Sequence, residues 1–191
     1  MKIWAFSDLH LEFGVPFVQP SSVDADVLVC CGDLLTRGVV PSIEWLARHI
    51  DPSLPVVFVA GNHEFYRGSV QEGLRDAREV ASLYPNLHFL ENDAVDISGV
   101  RFIGGTLWTD FRITGRDPQL AMAIAQSGMN DFRNIKFEVA ISEVQANPRL
   151  SQTYGDTSVP RARTDECGRS ENRDGYASRS VCPFYIAGFS R

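Results

Sequence analysis

Three short polar clusters, Ser7-Asp8-Leu9-His10, Gly32-Asp33-Leu34-Leu35 and Gly61-Asn62-His63-Glu64, each follow a run of apolar, partly β-branched residues. A run of that kind that stops at Gly, Asp or Asn reads as a buried strand feeding a loop. Three such strand ends with the same polar ending constrain the fold more than any other feature. They predict strands lying side by side in one sheet, with their loops converging on one edge, where α/β folds build their sites. Asp, Asn and His are oxygen and imidazole donors for divalent metals.

The intervening segments support this reading. Lys2 to Phe6 reads as a first strand. Ala25 to Cys31 reads as a second, an apolar run typical of a strand buried on both faces. Ile43, Leu46, Ala47 and Ile50 predict a helix over Pro41 to Ile50. Pro55 to Ala60 is a third strand, and Ser69 is placed to cap a helix running to about Leu83. Strand, helix, strand, helix is the grammar of βαβ units and a parallel sheet. The pattern then changes to short strands, Leu87 to Leu90, Ala94 to Ile97 and Val100 to Gly104, which suggest a second sheet of mixed or antiparallel character. A short helix is expected over Pro118 to Ser127, with Leu120, Ala121, Ile124 and Ala125 on its apolar side.

The order D-x-H, G-D, G-N-H-E resembles the calcineurin-like metallophosphoesterases, and the local wording resembles their bacterial members. The resemblance covers Met1 to about Ile135. It includes Gly104-Gly105-Thr106-Leu107-Trp108-Thr109-Asp110-Phe111 and Met129-Asn130-Asp131-Phe132-Arg133. It implies an α/β fold, a two-sheet β-sandwich flanked by helices, and a site for two divalent metal ions (Mn, Fe, Mg or Zn) that activate a water against a phosphoester. By motif position, Asp33 would bridge the ions, Asp8 and His10 would hold the first, and Asn62 the second through its amide oxygen. His63 falls where the superfamily places its catalytic histidine, with Glu64 available to orient the imidazole. Asn62, Tyr66 and Arg67 are candidates for reaching the phosphate, and Trp108 or Phe111 for stacking on a leaving group.

The resemblance also implies ligands that do not follow. The superfamily adds a further histidine and a G-H-x-H motif, whereas the four histidines here are His10, His49, His63 and His88. The second metal site is therefore expected to be incomplete, and hydrolysis by these 191 residues weak or absent. A non-catalytic binding module, or a truncated or frame-shifted product of a phosphoesterase gene, are the alternative readings. His49, near a helix end, and His88, alternating with apolar residues in a strand, are expected outside the site.

Composition bounds the rest. A chain of 191 residues with 44% hydrophobic and 22% charged residues is long enough for one domain with a real core. Its net charge of −6 offers no global basic field for nucleic acid or anionic membrane. No segment approaches the ~20 apolar residues of a membrane span. The N-terminal Ile3-Trp4-Ala5-Phe6 is too short for a signal-peptide core, so a cytoplasmic protein acting on a small phosphoester is expected. Adjacent Cys30 and Cys31 should be buried thiols. Residues 1–147 read as the phosphoesterase-like domain. Residues 148–191 read as a polar, Arg-rich tail, with seven arginines against five acidic residues. Only seven of the 33 residues in 148–180 are hydrophobic, so that stretch is expected not to pack.

Overall fold

The computed structural model describes residues 1–14, 16–17, 23–109, 111 and 117–136, together with the backbone of 184–187. The four apolar runs form β1 (Ile3–Phe6), β2 (Val27–Cys30), β3 (Val56–Phe58) and β4 (Leu87–Phe89). They pair in the order β1-β2-β3-β4, all parallel. Ile3 lies opposite Val27, Leu28 opposite Val56, and Val56 opposite Leu87. This register brings the ends of β1, β2 and β3 to one edge, carrying the three polar clusters with them.

Helix α1 (Val39–His49) follows β2, and α2 (Val70–Ala81) follows β3. The first begins two residues ahead of the predicted Pro41. Proline fits the first turn of a helix, where its missing N–H is not needed. The Ser69 side chain accepts from the Glu72 N–H, as expected of an N-cap. Strands β5 (Asp93–Ile97) and β6 (Val100–Gly104) form an antiparallel hairpin, and β7 (Phe184–Ala187) pairs with β6 to complete a second sheet. Helix α3 (Pro118–Gly128) starts on an Asp117 cap, and a single turn, α4 (Asp131–Asn134), follows it. The apolar side of α3 is not covered by the described residues: Leu120 and Ile124 stay exposed.

Strand alternation divides the core. Side chains on a strand point to opposite faces in turn. Leu28, Cys30, Val56 and Phe58 therefore pack against Val39, Ile43, Leu46, Ala77 and Ala81 of the two helices. Val27, Val29, Val57 and Val59 face the other way and cluster with Ile97 and Phe102 of the second sheet. Both central strands are buried on both faces, and Cys30 and Cys31 are buried thiols as expected. The fold is thus α/β, a parallel sheet with helices on one face and an antiparallel sheet meeting the other. Among the described residues no helix is long and apolar enough to cross a membrane. The predicted tail, apart from the β7 backbone, lies outside the described residues.

Phe102 is fully buried and is, among the described residues, the largest side chain joining the second sheet to the first. Phe102→Ala is expected to lower stability by about 3–5 kcal/mol through lost burial and a residual cavity. Leu107→Ala, at a position 56% exposed, should change it by no more than about 0.5 kcal/mol. Urea unfolding of the two variants measures the difference; equal midpoints would contradict the assignment of Phe102 to the core.

Candidate metal centre

The first loop is laced to the second by main-chain bonds. The N–H groups of Asp8, His10 and Leu11 donate to the carbonyls of Gly32, Asp33 and Leu34 at 3.1, 3.0 and 3.0 Å. To make these contacts the backbone turns left-handed at Asp8, His10 and Asp33, with φ of 55°, 45° and 53°. Each such turn costs a non-glycine residue roughly 1–2 kcal/mol, although Asp and His tolerate it better than most. Gly32, also left-handed at φ 87°, lies against Gly61: a Cβ at Gly32 would sit 2.2 Å from the Gly61 nitrogen, and one at Gly61 would sit 2.2 Å from the Asp33 Oδ1. Only glycine at both positions lets the second and third loops touch.

This contact brings His10, Asp33 and His63 together. Each offers a ligand atom, and the three atoms lie within 4.8 Å of one another. The two imidazole rings meet edge to face with centroids 4.3 Å apart. Asp33 Oδ1 accepts the His63 main-chain N–H at 3.0 Å. Burial raises the Asp33 pKa above the ordinary aspartate value, and the negative charge of Asp8 raises it further, against the lowering effect of the His63 N–H and of both imidazoles. Asp8 is exposed, takes a hydrogen bond from the Ser7 hydroxyl, and stands outside the 4.8 Å group.

The carboxylate that touches the histidines is one the sequence reading did not single out. Glu12 Oε1 lies 2.8 Å from His63 Nδ1 and 3.3 Å from His10 Nδ1. With both Nδ1 atoms turned to Glu12, Nε2 would be the atom each ring offers an ion, an arrangement common among metal-binding histidines. Burial alone would raise the Glu12 pKa, but hydrogen bonds from His63, its own backbone and His10 together bring it below the ordinary glutamate value. Its Oε2 is buried with no partner among the described residues. The signal available in the sequence is the alternation Asp8, His10, Glu12 in one short segment.

Glu64 corrects an expectation. It does not orient His63. The two residues are neighbours in a 3₁₀ turn (His63–Phe65), where successive side chains diverge by about a third of a turn, so one faces the cleft and the other the interior. Glu64 is fully buried. Its Oε1 accepts from the N–H groups of Leu34 and Leu35 at 2.8 and 3.3 Å and from the Ser42 hydroxyl at 2.9 Å. Its Oε2 accepts from the N–H groups of Asp33 and Gly61 at 2.9 and 2.8 Å. Burial pushes its pKa above the ordinary glutamate value; the N–H groups of Leu34, Gly61 and Asp33 oppose this and the Asp33 charge reinforces it.

Asn62 and Tyr66 meet at a second unforeseen carboxylate. Asp131 Oδ1 accepts from Asn62 Nδ2 at 2.8 Å and from the Tyr66 hydroxyl at 2.5 Å, and the Tyr66 ring stacks on His63 at 4.5 Å. Burial and the Asp131 carboxylate both hold the Tyr66 phenol well above its ordinary pKa. Arg67 is exposed, and its main-chain N–H donates to Asn134. Trp108 and Phe111 are half-buried in the segment after β6, which starts beside the site because the Thr106 hydroxyl donates to the Ala60 carbonyl at 2.9 Å. His49 stacks on Trp45, away from the cluster, and His88 lies within β4, where burial lowers its pKa.

Glu64→Gln would replace an acceptor by a donor facing main-chain N–H groups. At least one buried N–H then loses its partner, at about 1–3 kcal/mol for each. Urea unfolding should show a lower midpoint with the slope unchanged; a wild-type midpoint would mean that these bonds do not hold the loops.

Comparison with known proteins agrees with this arrangement. The chain is 26% identical over 122 residues to the "Uncharacterized protein L509" of Acanthamoeba polyphaga mimivirus, a match covering 54% of this chain and 43% of that protein. The chain thus spans less than half the length of that curated relative. The family model for calcineurin-like phosphoesterases matches residues 1–165, which takes in all three loops and every residue of the His10, Asp33 and His63 cluster, and the chain belongs to that family.

Proposed function

We propose that this chain is a metal-dependent phosphoester hydrolase whose centre is built on His10, Asp33 and His63. The convergence of these three at the ends of adjacent parallel strands, with ligand atoms within 4.8 Å, is the observation that carries the reading. The donor set fits a divalent ion of the Mn, Fe or Zn kind, since two imidazoles and a carboxylate suit borderline metals. It also fits by charge: Asp8, Glu12 and Asp33 gather here, and the Asp33 pKa is raised chiefly by burial and further by the charge of Asp8, which a cation would offset. Asp8 would add to the first ion's ligands, and Asn62 would extend the set toward a second ion.

When bound, such ions supply a water acidified toward neutral pH and positive charge against the phosphoryl oxygens. The remaining work falls to the chain. Glu12 holds the His63 ring by Nδ1, leaving Nε2 in the cleft to bind an ion or to give a proton to the departing oxygen. Tyr66 walls the cleft by stacking on His63, and Arg67 lies within the same loop for the phosphate. The substrate class is a small phosphoester, with diesters favoured over monoesters by the D-x-H form of the first motif. The fold reading that goes with this function is a two-sheet sandwich flanked by helices, carried by residues 1–147, in a cytoplasmic protein.

The activity expected of these 191 residues alone is slow, because none of residues 89–191 is a histidine that could complete the second metal site. An aryl phosphodiester with millimolar Mn²⁺ should be turned over weakly by the wild-type chain. Asp33→Ala should lower that rate by a further factor of about 100 or more, since charge stabilisation at the reacting group is the dominant catalytic term. Turnover that survives both Asp33→Ala and chelation of the metal would overturn the proposal. Fast turnover lost in Asp33→Ala would show instead that these residues suffice without the later histidines.

A further inference from the structure

Asp131 lies 69 residues after Asn62 in the chain and is buried, with 6% of its surface exposed. A carboxylate accepts hydrogen bonds and cannot donate them when ionised. The Asn62 atom that faces Asp131 is accordingly the amide nitrogen, as the 2.8 Å contact shows. The amide oxygen is then turned away from Asp131. Without a fixed acceptor on the nitrogen side, an asparagine amide can rotate by half a turn and present its NH₂ group, which repels a cation.

The same carboxylate oxygen receives the Tyr66 hydroxyl. Since the Tyr66 ring stacks on His63 at 4.5 Å with the planes 24° apart, Asp131 also restrains the imidazole through Tyr66. Asp131 is itself held by main-chain bonds that splice its segment onto the third loop. The Arg67 N–H donates to the Asn134 carbonyl at 2.7 Å, the Lys136 N–H to Gly68 at 2.9 Å, and the Val70 N–H to Lys136 at 3.0 Å. The carboxylate therefore sits on backbone anchored at three points, which is what holding another side chain in one orientation requires.

We infer that Asp131 is a positioning residue of the metal centre: one buried carboxylate oxygen orients the Asn62 amide so that its oxygen is available to an ion, and holds the Tyr66 ring against His63. The inference rests on the phosphoesterase reading above and adds to it a residue that touches neither the ion nor the substrate. Its role is exercised through Asn62, so its loss should be felt as weakened metal binding before any effect on chemistry.

Two measurements on the full chain test this. The first is Mn²⁺ affinity by calorimetry, where Asp131→Ala should weaken binding about 10–100-fold, the usual consequence of removing an outer partner of a ligand. Asp131→Asn, which keeps an acceptor oxygen of the same shape, should recover part of the loss. The second needs no metal. The side-chain NH₂ pair of Asn62, followed by ¹⁵N NMR, should show one proton slow to exchange with water in the wild type and both fast in Asp131→Ala. If Asp131→Ala does not fold, Asp131→Asn decides. Its neutral oxygen makes the weaker bond, so exchange should quicken relative to wild type, and equal exchange would overturn the proposal. Wild-type Mn²⁺ affinity in Asp131→Ala would overturn it as well. A wild-type chain that binds no Mn²⁺ would take down the metal-centre reading itself, and the role assigned to Asp131 with it, which is distinguishable from loss of the role alone.

Discussion

The carboxylate of Glu64 is the tie on which the site depends. It is fully buried, and five donors converge on it: the N–H groups of Asp33, Leu34, Leu35 and Gly61 and the hydroxyl of Ser42. Those donors belong to the second loop, the third loop and helix α1. Two loops that leave adjacent strands would otherwise bury several main-chain N–H groups without partners, at about 1–3 kcal/mol each. One side chain with two acceptor oxygens meets that need from the interior side, which leaves the outward side of both loops free for chemistry. The close approach of Gly32 and Gly61 follows from the same tie, since any side chain at either position would hold the loops apart.

Strain and charge are concentrated on the outward side. Two residues of the candidate centre, His10 and Asp33, and the neighbouring Asp8 have left-handed backbones. Such conformations persist only where the surroundings over-determine them, and here the surroundings are the lacing bonds from the first loop to Gly32, Asp33 and Leu34. Negative groups are also crowded: Asp33 is half-buried, with its pKa raised by burial and by Asp8. The imidazoles of His10 and His63 share Glu12. A fold that spends backbone strain to gather like charges is arranged for a cation, and the two histidines hold the neighbouring donor atoms in place for it.

How much of this was legible depended on the range over which each feature is decided. The strands and helices were readable because apolar periodicity and capping are local: Ser69 caps α2, and the boundaries of β2, β3 and both helices fall within two or three residues of those predicted. That Asp8, His10, Asp33, Asn62 and His63 stand at strand ends was readable, since parallel pairing brings strand ends together whatever the details; of these, the structure gathers His10, Asp33 and His63 into one group. Glu12 and Asp131 were not readable as parts of the site. Glu12 gains its meaning from a left-handed turn at His10 that bends it back onto His63, and Asp131 from a contact across 69 residues.

Glu64 shows where the boundary lies. Its place beside His63 in the chain suggested a partner for that imidazole, because adjacency is all that a linear order displays. The single 3₁₀ turn between β3 and α2 decides otherwise, sending His63 to the cleft and Glu64 to the interior. The sequence by itself determined which strands exist, which faces they bury and which residues stand at their ends, since these follow from hydrophobic period and turn chemistry within a few residues. Only the tertiary structure decided which carboxylate meets which histidine, because that depends on loop backbones bent left-handed against one another and on donors brought in from distant parts of the chain.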